Sequence, residues 1–490
     1  MKILFVTAEL APFAKVGGLA DVAGSLPKAL KDLGHEVIIF MPGYGLLLND
    51  PIAKTEAKID PFFVRVNHSR FVTGTLYETK HDGLTIWSAT GEVDFKRAQT
   101  SEDIYSFHRD DYLYFAQAAL EACQETGWIP DLIHCHDWHT GFLPPILRIL
   151  KSGSWDKVPS LFTIHNLAYQ GEFGFDTLDA AGLPHELYNP NQVEAYGSVN
   201  FLKAGAAFAD QVNTVSPNYA HEIQTPEFGC RLDGHMRFLH SHGQLHGILN
   251  GIDLEAWDPA NDPAIAAPFS VIDIEGKSQC RKELVKKAGL KPAKDRPVFG
   301  MVTRLSNQKG FDLLLEASKE LFASGASLVV QGLGDEWSAG ELRRLESENP
   351  GRMKFFQMFD PDLAQQVYAG CDAFLMPSAF EPCGLGQMFA MRYGTVPVVR
   401  HTGGLADTVF EGHNGFVFHD KTSSDFAAAI IRCVNAFQNS LQWQDIQRSG
   451  MSTDFGWQRS AHKYEELYKL AIVDRKHALS STKKSKSRVS

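Results

Sequence analysis

The sequence predicts an α/β protein made of two doubly wound, Rossmann-like parallel-sheet domains, and three observations predict it. Its 490 residues exceed what one ordinary hydrophobic core organises, so two domains of comparable size are expected. Through the first half, continuously apolar runs alternate with segments of helical period, as strands covered by helices on both faces require. After the NGID turn at residues 250–253 the same alternation starts again.

ILFVTAE is read as the first buried strand. The segment after it carries Leu19, Val22, Ala23, Leu26, Leu30 and Leu33 at helical spacing, with Gly34 closing the helix and Pro27 either kinking it or starting its main part. HEVIIFMP supplies the second strand and completes a βαβ unit. Further strands are expected at LTIWSA, DLIHCHD, VPSLFTIHN and ADQVNTVS, separated by helical stretches such as DYLYFAQAALEACQETG. In the second half PVFGMVTRL, ASLVVQGLG, RMKFFQMF, CDAFLMPS and TVPVVRH alternate with the helices FDLLLEASKELFASG, PDLAQQVYAG and GQMFAMRYG. The pentapeptide GGLAD occurs at residues 17–21 and again at 403–407, each time between a strand and a helix. In open α/β sheets such turns face the ligand crevice.

Composition narrows the function classes. Apolar residues make up 44% and charged residues 21%, as in a soluble globular protein. Forty-seven basic against 58 acidic residues give a net charge of −11, which disfavours a nucleic-acid-coating surface. Only the tail from Arg475, RKHALSSTKKSKSRVS, is basic, and it is expected to be disordered and solvated. The cysteines Cys123, Cys135, Cys230, Cys280, Cys371, Cys383 and Cys433 are odd in number, scattered and without a C-x-x-C, which argues against disulfides and structural zinc and for the cytoplasm. No signal peptide and no run of bilayer length is expected.

Several turns carry residues suited to chemistry. In KVGGLADV, Gly17 and Gly18 let a ligand approach the backbone and its unpaired amides, and Lys15 adds a full charge. A simple turn with a surface lysine fits the same letters. Neither GxGxxG nor a Walker loop is matched. In TRLSNQKG, Arg304 and Lys309 flank a strand-to-helix loop and suit a diphosphate. Glu381, in PSAFEPCGLGQMFAMRYG, is placed to accept sugar hydroxyls, with the amides of Cys383, Gly384 and Leu385 facing phosphate. The Cys383 thiol is read as small and buried rather than nucleophilic. LIHCHDWHTG invites a metal at His134, His136 and His139, but alternation puts Asp137 on the other face and no further cluster completes a ligand set, so no metal is expected. Asp137 at its strand end, with His165 ending the next, suits contact with a substrate hydroxyl.

Taken in order, KVGGLADV, HDWHTG, TIHNLAYQG, TVSPNYA, NGID, TRLSNQKG, SAFEPCGLGQ and HTGGLADTV resemble the bacterial glycogen synthases and plant-type starch synthases from about residue 1 to about residue 470. The resemblance implies a GT-B fold with two Rossmann-like domains facing a central cleft. It implies retaining transfer of glucose, usually from ADP-glucose, to the non-reducing end of an α-1,4-glucan, without a cofactor. By it Lys15, Gly17 and Gly18 meet the donor, Arg304 and Lys309 bind its diphosphate, and Asp137, His165, Glu381 and Asn250 surround the glucose. Thr402, Gly403 and Gly404 join the donor site. Phe359 sits where a tyrosine often stacks on adenine; stacking survives, and the hydroxyl contact is lost.

Two further departures are read from the letters. Phe389 occupies the place of a second glutamate found in related retaining transferases, which favours the glycogen synthase branch. Gly386 replaces the hydroxyl residue of EPCGLTQ, leaving only backbone donors there. The expected domains are 1–245 on the acceptor side and 246–455 for the nucleotide sugar, with a helix over 456–474 crossing back and the tail over 475–490. A hinge is expected near 243–250 and a second crossing near 455–465, so that charge from both domains meets the donor on closure. The alternatives are a UDP-glucose-preferring α-glucan synthase and a non-catalytic glucan-binding scaffold. A phosphorylase would be much longer and need pyridoxal phosphate, and an NAD-dependent epimerase or dehydrogenase would need GxGxxG. Neither nucleic acid nor membrane is expected as a partner.

Overall fold

Each apolar run singled out above holds a strand in the computed structural model, which describes residues 1–67, 70–91, 94–293 and 295–486. The chain divides into two units, Met1–Gly251 together with the segment from Trp457 onward, and Ile252–Gly456.

In the first unit the strands are β1 (Lys2–Val6), β2 (Glu36–Pro42), β3 (Lys54–Arg65), β4 (Phe71–His81), β5 (Leu84–Thr90), β6 (Leu132–His136) and β7 (Ser160–Ile164), then the short β8 (Glu172–Phe173), β9 (Glu194–Ala195) and β10 (Ser198–Asn200), and finally β11 (Gln211–Thr214) and β12 (Leu245–Gly247). Among the described residues nine of them form one sheet, in the order β12-β11-β7-β6-β1-β2-β5-β4-β3. From β12 to β5 every pair is parallel. The β3–β4 hairpin adds an antiparallel edge through β5. This hairpin was not among the expected strands: it alternates buried and exposed residues instead of running apolar, because one face meets water. Pro27 lies inside the helix Gly18–Asp32 without ending it.

The second unit is a six-stranded, wholly parallel sheet among the described residues: β13 (Val298–Val302), β14 (Ser327–Gln331), β15 (Met353–Phe356), β16 (Ala373–Met376), β17 (Val396–Arg400) and β18 (Phe416–Phe418), ordered β15-β14-β13-β16-β17-β18. Its core gathers Phe299, Leu328, Leu375 and Val398 from the strands with Leu314, Phe426 and Ile430 from the covering helices.

Two expectations are corrected. The boundary at 245–246 would cut β12, which pairs in parallel with β11 and belongs to the first sheet; the changeover follows Gly251. The tail from Arg475 is not disordered at its start, because the helix Trp457–Lys486 continues through it. Alanine, leucine, lysine and arginine favour helix there. Arg475 also donates to the Asp156 carbonyl (2.8 Å), and the Ser480 and Ser481 hydroxyls bond back to the carbonyls of Lys476 and His477. Residues 487–490 lie outside the described residues. The same helix sends Trp457, Tyr464 and Tyr468 into the core of the first unit. Among the described residues no helix is long and apolar enough to cross a membrane.

Candidate functional site

In the first unit the candidate residues gather where β1, β6 and β7 end. The chain leaves β1 through Glu9, whose side chain is buried (2% exposed) and shapes the turn that follows. Glu9 Oε2 accepts the amides of Val16 and Gly17, each at 2.8 Å, and Oε1 accepts the Tyr105 hydroxyl. The amides of KVGG are therefore not all unpaired, as the sequence suggested. A carboxylate of the same chain holds two of them, and Lys15 pairs with Asp21 at 2.6 Å. Glu9 escaped notice in the sequence because a single acid after a strand carries no spacing signal.

Asp137 follows β6 with φ 56° and ψ 178°, a region that side-chain-bearing residues enter at a cost of about 1–3 kcal/mol. Four hydrogen bonds hold it there. Its amide donates to Thr163 O (3.0 Å), its carbonyl accepts from the Thr140 amide (3.1 Å) and hydroxyl (3.0 Å), and its Oδ1 accepts the His165 amide (2.7 Å). Burial pushes the Asp137 carboxyl up to about 7. The amides of His165 and Asn166 oppose that rise, and the nearby Glu9 charge adds to it. Burial lowers His165 to about 3, so its ring is a neutral donor and acceptor. Its Nε2 stands 2.9 Å from His136 Nδ1.

His134 and His136 share one face, as alternation along β6 predicts, with ring centres 4.0 Å apart. The nitrogens of His134 are engaged by Tyr468 (2.9 Å) and Thr163 (2.6 Å). His139 stacks on Tyr105 with ring centres 4.9 Å apart. Among the described residues no three His, Cys, Asp or Glu side chains are grouped to hold a metal ion. Asn250 is buried (6% exposed), and its Oδ1 has no donor within the described residues.

In the second unit three turns at the C-terminal strand ends, after β13, β16 and β17, lock together. β13 leads through Arg304 and Lys309 to Gly310, whose φ of 72° and position against Pro377, with a Cβ only 1.9 Å from that carbonyl, admit no side chain. The Ala379 amide bonds to Gln308 O (2.8 Å), tying this turn to the segment after β16. There Lys309 Nζ meets Glu381 Oε2 at 2.7 Å, and Ser378 donates to the same oxygen at 3.0 Å. Gly403, with φ 46°, packs its Cα against Glu381 so closely that a Cβ would stand 1.8 Å from the carbonyl oxygen, and the Gly404 amide donates to that carbonyl at 3.1 Å. Thr402 stands at the N-cap position of the short helix beginning at Gly403.

Cys383 is buried, as expected, with a Gly404 Cβ excluded by its backbone, while Gly384 adopts φ 72° beside the half-buried Leu385. Arg304 is exposed and has no hydrogen bond or ion pair among the described residues. Phe359, 71% exposed beyond the end of β15, offers an open ring face. Gly386 has a local reason: a β-carbon would stand 3.3 Å from Phe374 and 3.4 Å from the Met376 sulfur and Tyr368 hydroxyl, so a threonine would press on all three. Phe389 stacks on Trp257 with ring centres 3.7 Å apart, a packing role no glutamate could fill. Sequence reading also passed over Arg400. It is buried (9% exposed), donates to the Ala379 carbonyl and has no carboxylate partner among the described residues.

The two groups of residues thus offer neutral and acidic hydrogen-bonding partners for hydroxyls in the first unit, and cations suited to phosphate beside glycine turns in the second. Comparison with known proteins points the same way. Residues 2–238 match the model of the starch synthase catalytic domain, and residues 283–444 that of glycosyl transferases group 1. The chain is 41% identical to a glycogen synthase of Geotalea uraniireducens, covering 96% of this chain and 99% of the relative. Its structure is similar to the catalytic domain of starch synthase IV from Arabidopsis thaliana bound to ADP and acarbose, with a TM-score of 0.88 and 35% identity over 96% of this chain and 99% of that one. A sucrose-phosphate synthase from Thermosynechococcus elongatus shares the fold at a TM-score of 0.60 and 19% identity, covering 96% and 99% of the two chains.

Proposed function

The chain belongs to the glycogen and starch synthase family, retaining glycosyltransferases of the two-domain GT-B fold, and on that footing we propose that it transfers glucose from ADP-glucose to the non-reducing end of an α-1,4-glucan. The observation that carries the reading is the Lys309–Glu381 pair, a cation and a carboxylate fixed 2.7 Å apart where three strand-end turns meet.

Departure of ADP puts negative charge on its β-phosphate and leaves an oxocarbenium-like sugar, so cations and dipoles already in place at the phosphate are the main catalytic contribution. Lys309 and Arg304 supply that charge, and Lys15 adds to it. The turns at Cys383, Gly384 and Leu385 and at Thr402, Gly403 and Gly404 line the phosphate and sugar, and Phe359 stacks on the adenine. Glu381, held by Lys309 and Ser378, accepts hydroxyls of the glucose. Asp137, His165 and Asn250 orient the sugar, the neutral imidazole bonding a hydroxyl without adding charge beside the developing cation. A carboxylate already committed to a lysine is a poor nucleophile. The acceptor hydroxyl therefore attacks from the face the phosphate leaves, and the departing phosphate oxygen takes its proton. The seven free cysteines suit a cytoplasmic setting.

The test is incorporation of labelled glucose into glycogen from ADP-glucose and, in parallel, from UDP-glucose, without added metal. ADP-glucose is the expected donor. Incorporation from UDP-glucose alone would replace the donor, incorporation from neither would leave a glucan-binding scaffold, and a trapped glucosyl-enzyme on Glu381 or Asp137 would overturn the same-face mechanism.

A further inference from the structure

Three side-chain-bearing residues of the first unit stand at positive φ in one patch of surface: Tyr196 at 52°, Cys230 at 46° and Arg231 at 71°. Each occupies a backbone region that glycine enters freely and other residues enter at a cost. The patch is held from within. The Tyr196 hydroxyl donates to the Arg231 carbonyl at 3.0 Å, and the Arg231 guanidinium lies 3.8 Å from the centre of the Tyr196 ring.

What the strain holds in place is not core. Tyr196 is 65% exposed, and the Arg231 guanidinium lies against its ring. Arg231 is exposed too, and among the described residues its guanidinium has no carboxylate or carbonyl partner. An aromatic face beside a flat array of unused N–H donors suits a pyranose, whose C–H face stacks on a ring while neighbouring hydroxyls accept from a guanidinium. It suits a lipid or an apolar peptide less, because a cation lies against the ring.

The patch is bolted to the loop that begins at His165. Gln170 donates to the carbonyls of Cys230 (2.8 Å) and Leu167 (3.2 Å), and its own carbonyl accepts from Asn200 (2.6 Å). The Phe201 and Leu202 amides bond to Gly171 O (2.9 Å) and Gln170 O (3.0 Å). The 230–231 turn, the strand after Tyr196 and the His165 loop are therefore one braced assembly.

We infer that Tyr196 and Arg231 form a subsite for the α-glucan acceptor, one glucose ring stacking on Tyr196 while Arg231 donates to adjacent hydroxyls. This rests on the transferase reading above for the identity of the glucan. Arg231 at φ 71° gives the test its leverage, because glycine relaxes that backbone while removing the donors. In Arg231→Gly, melting should rise by about 1–3 °C, while the Kd for maltoheptaose by calorimetry and the KM for glycogen rise about 5- to 20-fold. Tyr196→Ala should weaken maltoheptaose comparably, and in both variants KM for ADP-glucose should move less than twofold.

Maltoheptaose binding equal to wild type in both variants would overturn the subsite, even if the wild type transfers glucose from ADP-glucose. Weakened binding in both variants of a wild type that transfers no glucose would uphold the subsite and defeat the transferase reading. A fall in melting temperature for Arg231→Gly with unchanged binding would show the patch to be structural and also overturn the proposal.

Discussion

Lys309 Nζ lies 2.7 Å from Glu381 Oε2, and the same oxygen accepts the Ser378 hydroxyl at 3.0 Å. Removing the lysine strands a buried carboxylate. We expect Lys309→Ala to slow turnover by about 10²- to 10³-fold, the scale of a lost oxyanion donor, and to cost about 3 kcal/mol of stability. Adding Glu381→Gln should return most of that stability and none of the activity. Denaturant melts beside kcat measurements check both halves, and an unchanged rate in Lys309→Ala sinks its assigned role.

Asp137 predicts a pH dependence of defined sign. Its folded carboxyl titrates near 7, above the ordinary 3.8, because burial disfavours the charge. The folded chain thus keeps a proton that the unfolded chain releases. The stability it contributes is complete below the unfolded value and is lost as pH rises through 7. Asp137→Asn keeps an acceptor for the His165 amide and does not titrate, so its melting temperature should gain on wild type as pH rises from about 4 to about 8. A difference constant across that window contradicts the assignment.

Glu9 should matter to donor binding, although it sits behind the turn it organises. Glu9→Gln weakens the charge-assisted bonds from Val16 and Gly17, each of which is worth about 1.5–3 kcal/mol. We expect the KM for ADP-glucose to rise several-fold, with Tyr105→Phe, which removes one contact and no charge, having a smaller effect. The reverse order in steady-state kinetics would show that the carboxylate does not set the turn.

Asn250 separates binding from folding. Its buried Oδ1 has no donor among the described residues, so folding gains nothing from that oxygen. Asn250→Ala should leave stability within about 1 kcal/mol and slow glucose transfer at least about tenfold. Loss of stability with an unchanged rate would make it a structural residue.

How much of this was legible in the letters depended on the range of the interaction. The parallel strands were readable because both faces are buried and the runs are mostly apolar, as in Ile3–Val6. The strand-end turns were readable because the glycines and cations lie within a few residues of one another, as Arg304, Lys309 and Gly310 do. The β3–β4 hairpin was missed because its alternation is diluted by the charges of its wet face. Contacts such as Tyr105 with Glu9, or Tyr468 with His134, join residues 96 and 334 positions apart, and nothing local marks either partner. The positive φ of Asp137 was equally invisible, since aspartate gives no letter-level sign of a backbone that its neighbours impose.

The helix from Trp457 has a consequence for how the chain is made. The Tyr468 and Tyr464 hydroxyls satisfy His134 (2.9 Å) and Asn213 (3.2 Å) beneath β6 and β11, in a unit whose other residues end at Gly251. On the ribosome that unit emerges first yet lacks its last helix until some 200 intervening residues have followed, on the order of 10 to 40 s at typical translation rates. The uninterrupted Ile252–Gly456 unit has all its parts first. Synthesis therefore inverts the usual N-to-C order of completion, and the nascent first unit spends that interval without the two tyrosine hydroxyls that pair with His134 and Asn213.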